Sequence, residues 1–200
     1  MSKYVYSIIL IAFAALILVG CGKPPEAEMA AANTAFNAAK TAEAEQYVPK
    51  VYRVAMDSLN AANAMKTQQD AKFALFRSYS KAKALYVKSE AMAKQAEADA
   101  KVEKERVKAL VTDLFTQAQT AIDDATNALK KAPRGKGSKA DIEMISNDLN
   151  SVVASRDDAM KDFTAGKYLV AKPKVEAVIQ RAKRIVDEIA AATAKKTGKK

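Results

Sequence analysis

The chain has no histidine, no tryptophan and a single cysteine in 200 residues. Without histidine the commonest general base is missing, and with it the catalytic triads and most zinc and di-iron sites. One cysteine permits no disulfide within the chain, so the fold must hold by packing alone. Six glycines and five prolines leave few points at which a helix would break. None of the glycines forms a phosphate loop: Gly135-x-Gly137 lacks both the preceding strand and the helix-start spacing. The paired carboxylates Asp123-Asp124, Asp157-Asp158 and Glu103-x-Glu105 point to different sides of a helix and read as solvated faces. Tyr47, Tyr52, Tyr79, Tyr86 and Tyr168 suit helix packing with the hydroxyl at the surface better than a sugar-stacking platform. No enzyme, cofactor or metal is expected.

Uncharged apolar residues run without interruption only near the N-terminus. After one basic residue, Lys3, Tyr4 to Val19 is an uncharged stretch rich in Ile, Leu, Ala and Phe, the layout of a secretory signal. It is sixteen residues long, short of the roughly 20 that span a bilayer. The alternative is an uncleaved apolar anchor with a buried cysteine. The lone cysteine closes the run in Leu18-Val19-Gly20-Cys21, which resembles the lipobox of bacterial lipoproteins. That resemblance implies cleavage between Gly20 and Cys21, diacylglycerol on the Cys21 thiol, usually acylation of its new amine, and no other cofactor. Gly22 at the next position implies sorting to the outer membrane, where the body is expected to face the periplasm, though the sequence leaves surface exposure open. Two or three acyl chains would anchor firmly where one is marginal.

Beyond the signal the composition is alanine-rich, with Lys, Glu, Asp, Gln and Asn between the apolar positions, which favours long helices. The net charge of +10 is concentrated. Residues 130–139 hold five basic and no acidic residues, and residues 181–200 hold seven basic and two acidic. The rest is near neutral, unlike the basic stripe with stacking aromatics of a nucleic-acid binder. In an envelope the available polyanions are lipid headgroups, lipopolysaccharide phosphates and peptidoglycan carboxylates. The candidate contacts are Lys130, Lys131, Arg134, Lys136 and Lys139 in a loop, and Lys195, Lys196, Lys199 and Lys200 in a tail. The alternative for these charges is solubility alone.

Along the chain, residues 1–20 read as signal and 21–26 as a lipidated linker with Pro24-Pro25 extended. Residues 27–132 read as an alanine-rich helical region, 133–139 as a basic loop, 140–194 as a C-terminal helical hairpin and 195–200 as a frayed basic tail. A first helix is expected to the break at Tyr47-Val48-Pro49, and a second from Pro49 to about Lys66. Thr67–Asp70 is expected to turn, with Asp70 as N-cap. A glycine- and proline-free stretch to Lys131 follows, either one very long helix or one broken between Lys94 and Arg106. Its faces are expected at Ala71, Ala74, Ser78, Ala82, Leu85, Ser89 and Met92, then at Val107, Leu110, Leu114, Ala118, Ala121 and Ala125. After the loop, Ile142, Ile145, Leu149, Val152, Val153, Met160 and Phe163 share a face to a C-cap at Ala165-Gly166. Val175, Val178, Ile179, Ala182, Ile185, Val186 and Ile189 form the strongest amphipathic pattern, with Pro173 kinking that helix or marking its first turn. Ala64-Met65-Lys66 before Lys72-Phe73 echoes Ala159-Met160-Lys161 before Lys167-Tyr168. A repeated hairpin and chance similarity both account for this.

The residues from Ala31 to about Ala100 resemble the alanine-rich helical domain known as domain of unknown function 4398, common in outer-membrane lipoproteins. The resemblance rests on the alanine helix, Ala44-Glu45-Gln46-Tyr47-Val48-Pro49, Ala55-x-x-x-Leu59, and Ala71, Ala74, Ala82 and Ala84. Where that family carries a Gly-Asp-Tyr-like turn, this chain reads Gln69-Asp70-Ala71. The resemblance implies a helical hairpin in the envelope and assigns no chemistry. The expected fold is all-α: antiparallel helical hairpins or a bundle, elongated and repeat-like, with Leu59, Leu85, Ile145, Leu149, Ile179 and Ile185 buried. The expected role is a non-catalytic structural or protein-binding module of the outer membrane. A peptidoglycan or headgroup tether working through the basic segments is the alternative. Nucleic acid is not an expected partner, and the sequence leaves the oligomeric state open.

Overall fold

The computed structural model describes residues 22–132 and 139–197, and the described residues contain helices and turns but no strand. Six α-helices follow one another: α1 (Glu26–Thr41), α2 (Ala44–Tyr47), α3 (Pro49–Asp70), α4 (Ser80–Lys131), α5 (Lys139–Thr164) and α6 (Tyr168–Thr197). A 3₁₀ turn, Ala74–Phe76, precedes α4. The chain divides into two compact units, one up to Glu103 and one from Lys104.

In the first unit, α1 starts behind Pro25, whose carbonyl accepts the Met29 N–H at 2.9 Å, with Glu26 and Glu28 in the first turn, where the helix dipole favours acid. The expected continuation to Gln46 does not form. Ala42 caps α1 and Glu43 takes a left-handed φ of 60°, a conformation costly for a residue with a Cβ. The resulting bend sets Ala44 and Tyr47 of α2 into the core. Pro49 occupies the first turn of α3, where its missing N–H costs nothing. Ala32, Leu59, Ala62, Ala82 and Tyr86 form the centre, with Met29, Phe36, Met65 and Leu85 packed against it. Alanine on three helices lets the backbones approach closely. The Ser89 hydroxyl can therefore donate to the Ala55 carbonyl across the interface at 2.9 Å, while the buried Tyr86 hydroxyl donates to Asn63 Oδ1 at 2.7 Å. Phe36 stacks on Tyr52 at 5.0 Å.

Three expectations fail in this region. α3 runs to Asp70 instead of Lys66, and Asp70 ends α3 instead of capping α4. α4 begins only at Ser80. From Tyr79, just before it, the buried stripe runs through Ala82, Tyr86, Ser89, Ala93, Ala96 and Ala100, which leaves Leu85 and Met92 half-buried and Ala71 and Ser78 exposed. The interval alternates three and four residues, the coiled-coil spacing.

α4 is unbroken over 52 residues. Its polar middle is laced by Glu90–Lys94 and Glu97–Lys101 pairs at i, i+4, with glutamate on the favourable N-terminal side and each pair worth about 0.2–0.5 kcal/mol. From Val107 the stripe continues through Val111, Phe115, Ala118, Ile122 and Ala125. Two successive four-residue steps, 107 to 111 to 115, shift its phase as a stutter does. Leu110, expected inside, is therefore exposed, and Leu114 is half-buried.

In the second unit α5 and α6 form a hairpin. α5 ends at Thr164 in a Schellman motif: the Lys167 N–H reaches the Asp162 carbonyl at 2.9 Å and the Gly166 N–H reaches Phe163 at 3.0 Å, with Gly166 at φ 76°. Leu149, Val152 and Ala159 are buried on α5, whereas Ile142, Ile145, Val153 and Phe163 are half-buried and Met160 is exposed. On α6 the expected face is buried at Val175, Val178, Ile179, Ala182, Ile185 and Ile189, with Val186 half-buried. Pro173 lies inside α6, which starts five residues earlier. Phe163 packs edge-on against Phe115 at 5.5 Å and, tilted, against Tyr168 at 5.2 Å. The turn joining α3 to α4 is longer and differently built, so the two similar-looking hairpin sequences close by different turns.

Candidate functional site

The most organised polar cluster lies where the first described residues pass the α3–α4 turn. α3 stops at Asp70 because the following residues satisfy its end. The Arg77 guanidinium donates from Nη2 to the Asp70 carbonyl at 2.8 Å and from Nε to the Lys72 carbonyl at 2.9 Å. The Ser78 N–H donates to Gln69 Oε1 at 3.0 Å. The Asp70 carboxylate is shared: Oδ1 accepts the Tyr79 hydroxyl at 2.6 Å and Oδ2 accepts Lys66 Nζ at 3.0 Å. Lys66 also stands 3.6 Å from Glu26, which ties the start of α1 to the same point. Beside it Lys83 of α4 pairs with Glu28 at 2.6 Å.

The electrostatics follow from these contacts. The Tyr79 hydroxyl first, and Lys66 second, hold the Asp70 carboxyl below the usual aspartate range. In return Asp70 pushes Tyr79 and Lys66 upward. The bond from Lys83 lowers Glu28. Burial raises Tyr52 and Tyr86. These are ion pairs and hydrogen bonds that hold chain segments together.

Gly22 is fitted to this turn. A Cβ at Gly22 would stand 2.9 Å from the Arg77 carbonyl oxygen, so the chain passes too close there for a side chain without a shift. Gly22, Pro25, Glu28, Arg77, Tyr79 and Lys83 line an open pocket of about 420 Å³. On the outside of the same turn Phe73 is 69 % exposed, Phe76 75 % and Leu75 44 %, the two rings 6.4 Å apart. The sequence reading missed these three, because it continued a helix through Ala71, Ala74 and Ser78. Their signal was legible: three large apolar side chains at positions off that stripe.

The second unit carries an open groove of about 830 Å³ between the second half of α4 and α6, with Asp124, Asn127, Lys131, Lys183 and Asp187 on its walls. Lys174 bridges Asp158 at 2.6 Å and Asp162 at 2.7 Å. This bonding lowers Asp158 and raises Lys174. Arg181 reaches Asp148 at 2.7 Å.

Of the residues singled out from sequence, Gly20, Cys21, Arg134, Lys136, Lys199 and Lys200 lie outside the described residues. Lys130 and Lys131 are exposed but end α4 instead of standing in a loop. Lys139 opens α5, and Lys195 and Lys196 lie in the last turn of α6, which continues past the expected fraying point. Lysine at a helix C-terminus complements the dipole, which gives Lys130 and Lys131 a local role. Among the described residues no group of three His, Cys, Asp or Glu is placed to hold a metal ion, and no helix is long and apolar enough to cross a membrane. Comparison with protein-family models, curated proteins and solved structures finds no match for the chain.

Proposed function

We propose that this protein is a bacterial outer-membrane lipoprotein, held by lipid on Cys21, whose helical body is a non-catalytic structural or protein-binding module facing the periplasm. The observation that carries this reading is Leu18-Val19-Gly20-Cys21 closing a sixteen-residue uncharged apolar run, with no other cysteine in the chain. The alanine-faced packing of α1, α3 and α4 supports the resemblance to the domain of unknown function 4398. Pro24-Pro25 and the close passage of Gly22 at Arg77 support a short linker with a body held near its anchor. The second reading, a tether to peptidoglycan or anionic headgroups, rests on the basic segments. The end of α4 accounts for Lys130 and Lys131 without it.

The test is incorporation of labelled palmitate in a bacterial host. Wild type should take up label and fractionate with the outer membrane, and Cys21→Ser should do neither. Equal labelling of both would overturn the anchor.

A further inference from the structure

We infer that the turn between α3 and α4 is a membrane-insertion element: Phe73, Leu75 and Phe76 enter the acyl boundary of a phospholipid bilayer, with Lys23, Lys72, Arg77 and Lys81 at its headgroups. Three observations converge on this turn. The first is the patch itself. Three of the exposed large apolar residues fall within four positions of one short turn, and two of them are more than two-thirds exposed. Scattered apolar residues on a surface need no explanation, but a contiguous cluster on a protruding turn does. Phenylalanine and leucine flanked by lysine and arginine are the residues that lodge at the headgroup and acyl boundary.

The second is charge. Lys23, Lys72 and Lys81 are exposed and have no ion pair among the described residues, and Arg77 donates from Nε and Nη2 to backbone carbonyls, which carry no countercharge. The acids nearby are already engaged: Asp70 by Tyr79 and Lys66, Glu26 by Lys66, and Glu28 by Lys83. The rim of the patch is thus positive, complementary to an anionic bilayer surface.

The third is position, and here the inference rests on the proposed lipid anchor. Gly22 passes against the carbonyl of Arg77, which belongs to the same turn, and Cys21 is one peptide bond further. Acyl chains on Cys21 would therefore start one residue from the turn that carries Phe73 and Phe76. The tether keeps the patch at high local lipid concentration, and modest burial then suffices. The body is held in one orientation on the membrane instead of swinging on a free linker. The polar network of Asp70, Lys66, Tyr79 and Arg77 keeps the turn rigid while the rings insert.

The absence of tryptophan makes this directly measurable. Full-length Phe76→Trp and Val102→Trp proteins, made in a bacterial host and purified, are reconstituted into vesicles of phosphatidylethanolamine and phosphatidylglycerol. One set of vesicles carries lipids brominated high on the acyl chain. Val102 is 72 % exposed on α4, about 33 Å along the helix from Ser80, and serves as the solvent-facing reference. Phe76→Trp should show blue-shifted emission and strong loss of intensity in brominated vesicles, while Val102→Trp should show neither. The mass of the Cys21 peptide from the same samples reports the anchor separately. Solvent-like, unquenched emission from Phe76→Trp on a lipidated, vesicle-bound protein would overturn insertion and leave the anchor reading standing. Quenching of a protein whose Cys21 carries no lipid would retain insertion and remove the anchor. A blue shift already present without vesicles means that a second copy or the chain's own apolar N-terminal run covers the patch, and it overturns the inference.

Discussion

The two units are built from the same kind of element and held by different cores. Among the described residues, the buried apolar side chains of the first unit are ten alanines, four tyrosines and one leucine. In the second, nine of seventeen are valine or isoleucine. Alanine buries little area per residue, so the first unit gains its cohesion from close backbone approach and dispersion. It adds polar bonds made across that close interface, such as Ser89 to Ala55 and Tyr86 to Asn63. The second unit gains directly from apolar burial, at roughly 25 cal/mol per Å². A tight alanine interface tolerates no added volume, and an aliphatic one tolerates no polar intruder. The same fold class thus has two ways to fail.

The largest effect should come from polar intrusion in the second unit. Ile185 is almost fully buried on α6, and Ile185→Asp would bury a charge with no partner, costing about 4 kcal/mol or more. Thermal unfolding followed by circular dichroism should show the loss. Hydrogen exchange should locate it in α5 and α6 before α1 and α3, and a melt indistinguishable from wild type would contradict the packing described. Next is overpacking in the first unit. Ala62 has no exposed surface and faces Ala32, Ala82 and Tyr86. Ala62→Leu should therefore cost about 1–3 kcal/mol, with faster exchange in α1 and α3. Stabilisation by the larger side chain would mean that the interface is looser than its alanines indicate.

The smallest effect concerns pH. Asp70 titrates below its ordinary value of 3.8 in the folded protein. Its contribution is complete above that value and lost as the pH falls through the lower folded one. Asp70→Asn should therefore flatten the acid limb of stability for the first unit. The second unit, with Asp158 held down by Lys174, should keep its own acid limb. Tyr79 and Lys66 are raised, so their contribution is complete at neutral pH and lost as pH rises through their folded values. Exchange in the α3–α4 turn measured from neutral to acid pH checks the first part; an unchanged limb in Asp70→Asn would remove Asp70 as its cause.

Periodicity carried the all-helical fold, the Pro49 start, the Gly166 cap and the buried face of α6 from Val175 to Ile189, because each depends on spacing or on one residue's backbone chemistry. It also identified the 52 residues with no helix breaker, though not whether they would form one helix. The Leu18–Cys21 motif and the apolar run before it are equally properties of the chain alone. What alanine-rich sequence does not determine is phase. When nearly every position is small, neighbouring stripes are almost equally apolar, and contact with α1 and α3 selected Tyr86 and Ala93 over Leu85 and Met92. The left-handed Glu43 follows from no local preference, and the place of Ala44 and Tyr47 in the core imposes it. Asp70 has the chemistry of a cap, and only the bonds arriving from Lys66, Arg77 and Tyr79 make it the end of one helix instead of the start of the next. The outward Phe73 and Phe76 likewise became a surface only once those bonds, each spanning four to nine residues, had fixed the turn.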